Sequence, residues 1–276
     1  MELIQDSFRG LCPAAEAYTT REDAVEAAVP DALPDAARVV DTIASVFVRE
    51  KLAHEGAAEL RGSTRVCVLC VPEEEDTVLR VEASVPFSQR VELPGAPADA
   101  ELLCSAGLLH ADARLIDPRR LAVRVELGFA VRALREEETR VTAAAEGASL
   151  MTLTQKCTLR QAVQCGSRSF TLIEELPAED AEELLAARAE PELTGVRCGE
   201  GAAELRGTAA LRLLYVPGGG GAPRVLEAEL PFEQSVECPG VTEDMSCEAA
   251  LRLRSLEAEP AEDASGRRVT SVTLGL

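Results

Sequence analysis

The chain has 276 residues, 46% of them hydrophobic, and its 48 Asp and Glu against 28 Lys and Arg give a formal net charge of −20. That length carries about two domains, each with a core of its own. So acidic a chain is unsuited to the phosphate backbone of nucleic acids and to anionic membranes, both of which need basic patches, and a basic or neutral protein surface is the better match.

The N-terminal stretch MELIQDSFRG has no basic segment followed by an apolar run. No stretch approaches the roughly 18 apolar residues of a membrane helix, so the expectation is a cytoplasmic protein with no membrane insertion. Nine cysteines (Cys12, Cys67, Cys70, Cys104, Cys157, Cys165, Cys198, Cys238, Cys247) form an odd set. Without an export signal they read as reduced thiols packed like small apolar residues.

In chain order, the Leu-Pro pair at 33–34 precedes PDAARVVDTI (34–43), which predicts a short helical turn with an acidic residue near its start. HEGAAELRG (54–62) then predicts a tight hairpin: Glu-Gly turns the chain, and Gly62 sits at a bulge or a crowded backbone contact. TRVCVLCVP (64–72) and VEASVPF (81–87) alternate as strands, the latter placing Val81, Ala83, Val85 and Phe87 on one face. In LAVRVELGFAVRAL (121–134), Leu121, Val123, Val125, Leu127, Phe129, Val131 and Ala133 share a face opposite Arg124, Glu126 and Arg132, the pattern of a half-buried strand. REEETR (135–140) and AAAEGAS (143–149) mark a join.

Beyond the join the chain repeats itself. A shift of 145 residues aligns 56–95 with 201–240 without a gap, and 19 of the 40 positions are identical, with Cys12 falling on Cys157. A duplicated domain follows, with residues 1–142 as the first copy and 143–276 as the second. PAEDAEELLAARA (177–189) repeats the expected helical turn. LEAELPF groups Leu226, Ala228, Leu230 and Phe232, and ALRLRS sets Leu251 and Leu253 against Arg252 and Arg254. The fold expected is all-β, with two tandem antiparallel sandwich-like domains. The loop PAEDASGRR carries three or four extra residues, which brings Leu276 opposite about residue 127–129, inside the last strand of the second copy.

The residues kept by both copies are structural candidates: Gly56, Leu60, Gly62, Pro86, Phe87, Pro94 and Gly95 in the first, and Gly201, Leu205, Gly207, Pro231, Phe232, Pro239 and Gly240 in the second. Candidates for chemistry are weaker. Cys67 and Cys70 form a C-x-x-C, but lie mid-strand, where residues three apart point to opposite faces, and the second copy carries Arg212 and Tyr215 there. His54 and His110 are the only histidines. They align with Gly199 and Ser255, and no nucleophile is placed beside either. The glycine run at 218–221 is followed by Ala-Pro-Arg rather than Lys-Ser or Lys-Thr and replaces EEED (73–76), which makes it a loop tip. Two Tyr, six Phe and no Trp disfavour stacking platforms for sugars or single strands. No catalytic, cofactor-binding or metal residue is assigned.

The order of these pieces resembles the SPOCS domain of SipL-like sporulation proteins from endospore-forming Firmicutes. The matching elements are Leu-Pro (33–34, 176–177), EGAAELRG (55–62, 200–207), LCVP and LLYVP (69–72, 213–217), VPF and LPF (85–87, 230–232), ELPG and ECPG (92–95, 237–240) and RRLAVRVEL (119–127). The resemblance covers most of both copies and includes no LysM module. It implies a non-enzymatic adaptor or scaffold in spore-coat assembly, acting on the mother-cell side of the forespore surface and binding the coat morphogenetic ATPase. The alternative is a structural coat or envelope component that self-associates through strand edges. An enzyme is the least favoured reading.

Overall fold

The computed structural model describes residues 2–73, 77–147, 162–178, 180–219 and 221–276. Six strands build a first unit: β1 (Glu2–Ala28), β2 (Ala36–His54), β3 (Ala57–Pro72), β4 (Leu79–Glu92), β5 (Glu101–Asp117) and β6 (Arg120–Glu146). Six more build a second: β7 (Thr171–Pro177), β8 (Ala181–Gly199), β9 (Ala202–Pro217), β10 (Arg224–Glu237), β11 (Ser255–Glu262) and β12 (Arg268–Gly275). The described residues contain no helix. Each unit has two three-stranded antiparallel sheets, β1-β6-β5 with β2-β3-β4 and β11-β12-β7 with β10-β9-β8. The second unit thus repeats the first, and both are antiparallel sandwiches.

The duplication fixes the strand limits residue by residue. Adding 145 to the limits of β2, β3 and β4 (36–54, 57–72, 79–92) gives those of β8, β9 and β10 (181–199, 202–217, 224–237). β11 matches the last eight residues of β5, 110–117. The connection 263–267 is three residues longer than 118–119, so β12 matches 120–127, the first eight residues of β6. The first unit's β6 runs to Glu146 paired with β1, past the 142/143 boundary expected from sequence.

Alternation decides which face is buried. Along β6, Leu121, Val123, Val125, Leu127, Phe129, Val131 and Ala133 are at most 1% exposed, while Arg124 and Arg132 face solvent. These side chains meet Val66, Val68 and Val81 at one end of the first sandwich and Leu60, Phe87 and Val91 at the other. Phe87 and Phe129 meet edge to face at 5.4 Å between ring centres, an arrangement worth roughly 0.5–1.5 kcal/mol beyond area burial. In the second unit, Leu211 and Leu213 of β9 pack on Val272 and Leu274 of β12.

Two expectations fail. Residues 36–43 and 181–189 are strand, where helical turns were predicted at 34–43 and 177–189 (residue 179 lies outside the described residues). Both strands are bulged there, between Ala36/Arg38 and Val39/Asp41 in β2 and between Ala181/Glu183 and Leu184/Ala186 in β8. Each bulge inserts an unpaired residue, so the period of two is broken and apolar residues fall at spacings that imitate a helix. The stretch 250–254, predicted as strand from its alternation, is not strand: β11 begins only at Ser255, and the stretch reaches β12 through Arg254 N–H, which donates to the Gly275 carbonyl at 2.8 Å. Its counterparts in β5 pair with β6 from Leu127 onward, whereas β12 ends at Gly275, opposite the end of this stretch.

Candidate interaction surfaces

The repeated GAAELRG motif is a backbone device. Glu55-Gly56 and Glu200-Gly201 are two-residue turns between paired strands, with Gly56 at φ 70° and Gly201 at φ 72°, in the left-handed region that glycine enters without strain. Gly56 also binds the Pro-Gly turn that follows β4. Its N–H donates to the Ala96 carbonyl and its own carbonyl accepts from Leu93 N–H, both at 2.8 Å. Gly201 does the same with Val241 and Cys238, at 2.8 and 2.9 Å. Pro94-Gly95 and Pro239-Gly240 therefore belong to one two-turn clasp with the hairpin, built once in each unit.

Gly62 and Gly207 serve a close approach. Gly62 sits opposite Phe87 in the β3–β4 ladder and Gly207 opposite Phe232 in the β9–β10 ladder. A Cβ on Gly62 would collide with the Phe47 carbonyl oxygen and the Phe87 ring, and one on Gly207 with the Glu192 carbonyl oxygen and the Phe232 ring. Leu60 is fully buried beneath this point and Leu205 is 9% exposed. Pro86 and Pro231 stand next to these rings in β4 and β10, each at the edge of its sheet, where a missing N–H costs no ladder hydrogen bond.

The two units meet in a joint that the repeat makes easy to read. On the outer face of the first unit, Ile43 and Phe47 of β2 and Cys67 and Leu69 of β3 are covered by the second unit. Leu185 and Ala186, in the bulge of β8, pack on Cys67 and Leu69, with Ile43, Leu214 and Val216 around them. Phe47, 5% exposed, joins the second unit's own core beside Leu256. Hydrogen bonds finish the contact. Arg65 donates to the Leu256 carbonyl at 2.7 Å, with its guanidinium 5.5 Å over the Phe47 ring, and Arg80 donates to the Leu184 carbonyl at 2.8 Å.

Three of these joint residues have repeat-mates that are polar and open to solvent, whereas Leu69 keeps an apolar mate, Leu214, which is itself in the joint. Ile43, Phe47 and Cys67 correspond to Arg188, Glu192 and Arg212, all three on the outside of the second unit. Conversely, Leu185 is 0% exposed while its mate Val40 is 51% exposed. The joint is therefore a property of one pair of faces, written into the side chains after duplication. Its cavity, lined by Phe47, Arg65, Cys67, Arg80 and Leu185 among others, is about 60 Å³, well below the roughly 300–1,000 Å³ of small-molecule sites.

Cys67 and Cys70 point to opposite faces. Cys67 lies in the joint, its thiol donating to the Leu185 carbonyl at 3.1 Å, and Cys70 lies in the first core. Burial pushes the Cys67 thiol up to about 11, the state of a packed rather than a reactive cysteine. His54 stands 3.6 Å from Glu59 and His110 3.4 Å from Asp112. Among the described residues no group of three His, Cys, Asp or Glu is placed to hold a metal. Cys157 and parts of the loop tips 73–76 and 218–221 lie outside the described residues.

The free faces are studded with arginines matched to acids: Arg124 with Asp112 at 2.9 Å, Arg132 with Glu16 at 3.1 Å and Arg212 with Glu227 at 2.9 Å. Over the whole chain acids outnumber bases, 48 to 28. On the outer face of β1-β6-β5 an apolar spot interrupts the charge. The Tyr18 ring, on a residue 63% exposed, lies over Gly128, with the Leu109 side chain on the same spot.

Residues 180–260, which run from the start of β8 almost to the end of β11, match the family described as SipL, SPOCS domain. This part of the chain is similar to the SPOCS domain. Searches of curated proteins and of solved structures returned no match. The SPOCS match falls on the unit whose β8–β9 hairpin, β10 and following turn form the second clasp. No described helix is long and apolar enough to cross a membrane.

Proposed function

We propose that the chain is a non-enzymatic adaptor of sporulation that binds a coat morphogenetic protein, the polymerising ATPase of the coat, on the mother-cell side of the forespore surface. The observation that carries this reading is the SPOCS match over 180–260, and the first unit, with the same clasp and the same strand limits, is taken as a second SPOCS copy. The side chains support binding over turnover. The buried thiol of Cys67 is held protonated, and repeat-conserved residues serve turns and packing.

The net charge of −20 favours a basic partner surface, since complementary charge raises association rates and excludes wrong partners. Strand-edge self-association is the weaker alternative, because Pro86 and Pro231 interrupt the N–H row on the β4 and β10 edges. A fluorescent fusion imaged through sporulation tests the reading. A signal gathering around the forespore is expected, and one that stays diffuse, or is unaffected by sporulation, overturns it.

A further inference from the structure

The two units differ sharply at the end of the sandwich beside the β8–β9 turn. Subtracting 145 sets Cys198, Cys238 and Cys247 on Ala53, Leu93 and Leu102. Those three share a single core cluster in the first unit. One apolar packing site has thus become three thiols contributed by β8, the turn after β10 and the segment beyond it.

The backbone holds the thiols together. Cys198 pairs with Ala203, and Ala203 with Val236, across β8-β9-β10. The Cys238 N–H donates to the Gly201 carbonyl at 2.9 Å. Cys238 and Cys247 pack on Ala203, Leu205 and Val236. Cys198 is 6% exposed and Cys247 half-buried, and the Cys198 thiol is close enough to perturb the ionisation of the Cys247 thiol.

The segment carrying Cys247 also needs a fastening. In the first unit the matching residues begin β5, whose Glu101 pairs with Leu134 of β6. Residues 247–254 have no ladder of their own.

We propose that Cys198 and Cys247 form a disulfide that fastens the segment after β10 to the end of β8 when the protein meets a low-molecular-weight disulfide. The more exposed Cys247, as thiolate, attacks one sulfur of the reagent and expels a thiolate, leaving a mixed disulfide. Cys198, as thiolate, then displaces the second reagent thiolate and closes the bridge. Two protein thiols are oxidised and one reagent disulfide is reduced to two thiols, the protein losing two protons and two electrons. Burial and the neighbouring Cys198 push the Cys247 thiol up to about 11, so closure accelerates as pH rises and the bridge acts as a fastening rather than a rapid sensor.

Full-length protein is incubated with oxidised glutathione at mildly alkaline pH, quenched with acid, alkylated and mapped by non-reducing peptide mass spectrometry. The Cys198–Cys247 linked peptide is expected, with a mass about 2 Da lower for two lost hydrogens. Closing a loop of 247 − 198 = 49 residues raises the melting temperature by roughly 10 °C. Cys198→Ser is expected to stop at the glutathione adduct on Cys247, and Cys247→Ser to give neither product nor shift. Cys198 and Cys247 both recovered alkylated from wild type, a dominant Cys238–Cys247 or Cys165–Cys238 link, or a stable glutathione adduct on Cys247 in wild type overturns the proposal.

Discussion

Leu185→Ala and Val40→Ala are the same kind of truncation at one repeat position, once inside the joint and once outside it. Leu185 is 0% exposed, packed against Cys67 and Leu69, while Val40 is 51% exposed. Truncating a fully buried leucine removes transfer energy and leaves a cavity, together about 2–4 kcal/mol where neighbours relax partly. The existing 60 Å³ cavity beside Leu185 gives the neighbours room for that partial relaxation. Val40→Ala loses two methyl groups that are already half in water, which puts its cost below about 1 kcal/mol. Urea unfolding measures the total. Pulse alkylation of Cys67 under native conditions separates joint opening from global unfolding, because its thiol is covered by Leu185. A loss of 2–4 kcal/mol taken up by the joint raises the open population, and the Cys67 labelling rate, by about 30- to 700-fold. Equal costs for the two variants, or an unchanged Cys67 rate in Leu185→Ala, would refute the packing argument.

Phe47→Glu copies the second unit's own residue, Glu192, into the joint. It is expected to separate the units without unfolding them, seen as a larger radius of gyration in X-ray scattering with an unchanged far-ultraviolet β signal. Gly207→Ala puts a Cβ against the Glu192 carbonyl and the Phe232 ring, an overpacking that costs about 1–3 kcal/mol in urea unfolding; a neutral result would mean the ring moves aside freely. Glu59 accepts hydrogen bonds from Arg61 and Ser88, which lower its carboxyl pKa to about 2. A depressed folded pKa contributes stability above the unfolded value of about 4.5 that is lost as pH falls through about 2. Glu59→Gln should therefore flatten stability against pH across that window, and a carboxyl-carbon NMR titration of Glu59 with a midpoint near 4.5 would count against it.

The parts of the fold that follow a simple period were legible in the sequence. Alternation over 121–134 named the buried face of β6, and the 145-residue shift carried the limits of β2, β3 and β4 onto β8, β9 and β10. Alternation failed where bulges interrupt it. At Val39/Asp41 and Leu184/Ala186 the extra residue imitates helical spacing. It failed again at 250–254, an alternating stretch that meets β12 only at its last residue. The joint was missed although its signal is present. It lies in the differences between the copies, Ile43 against Arg188, Phe47 against Glu192 and Cys67 against Arg212, whereas identical positions report turns and cores. Cys198 and Cys247 were hidden for a related reason, since 49 residues separate them and it is the packing of the segment after β10 on Ala203, Leu205 and Val236 that brings Cys247 toward the end of β8.

The adaptor role is tested most directly by calorimetric titration of the full chain, wild type and Phe47→Glu, with the purified coat morphogenetic ATPase of the source organism. Saturable heat with a defined stoichiometry is expected for wild type, and Phe47→Glu reports whether the packed joint is needed for the contact. Absence of heat and of co-migration with wild type would contradict the adaptor role and leave self-association as the function to examine.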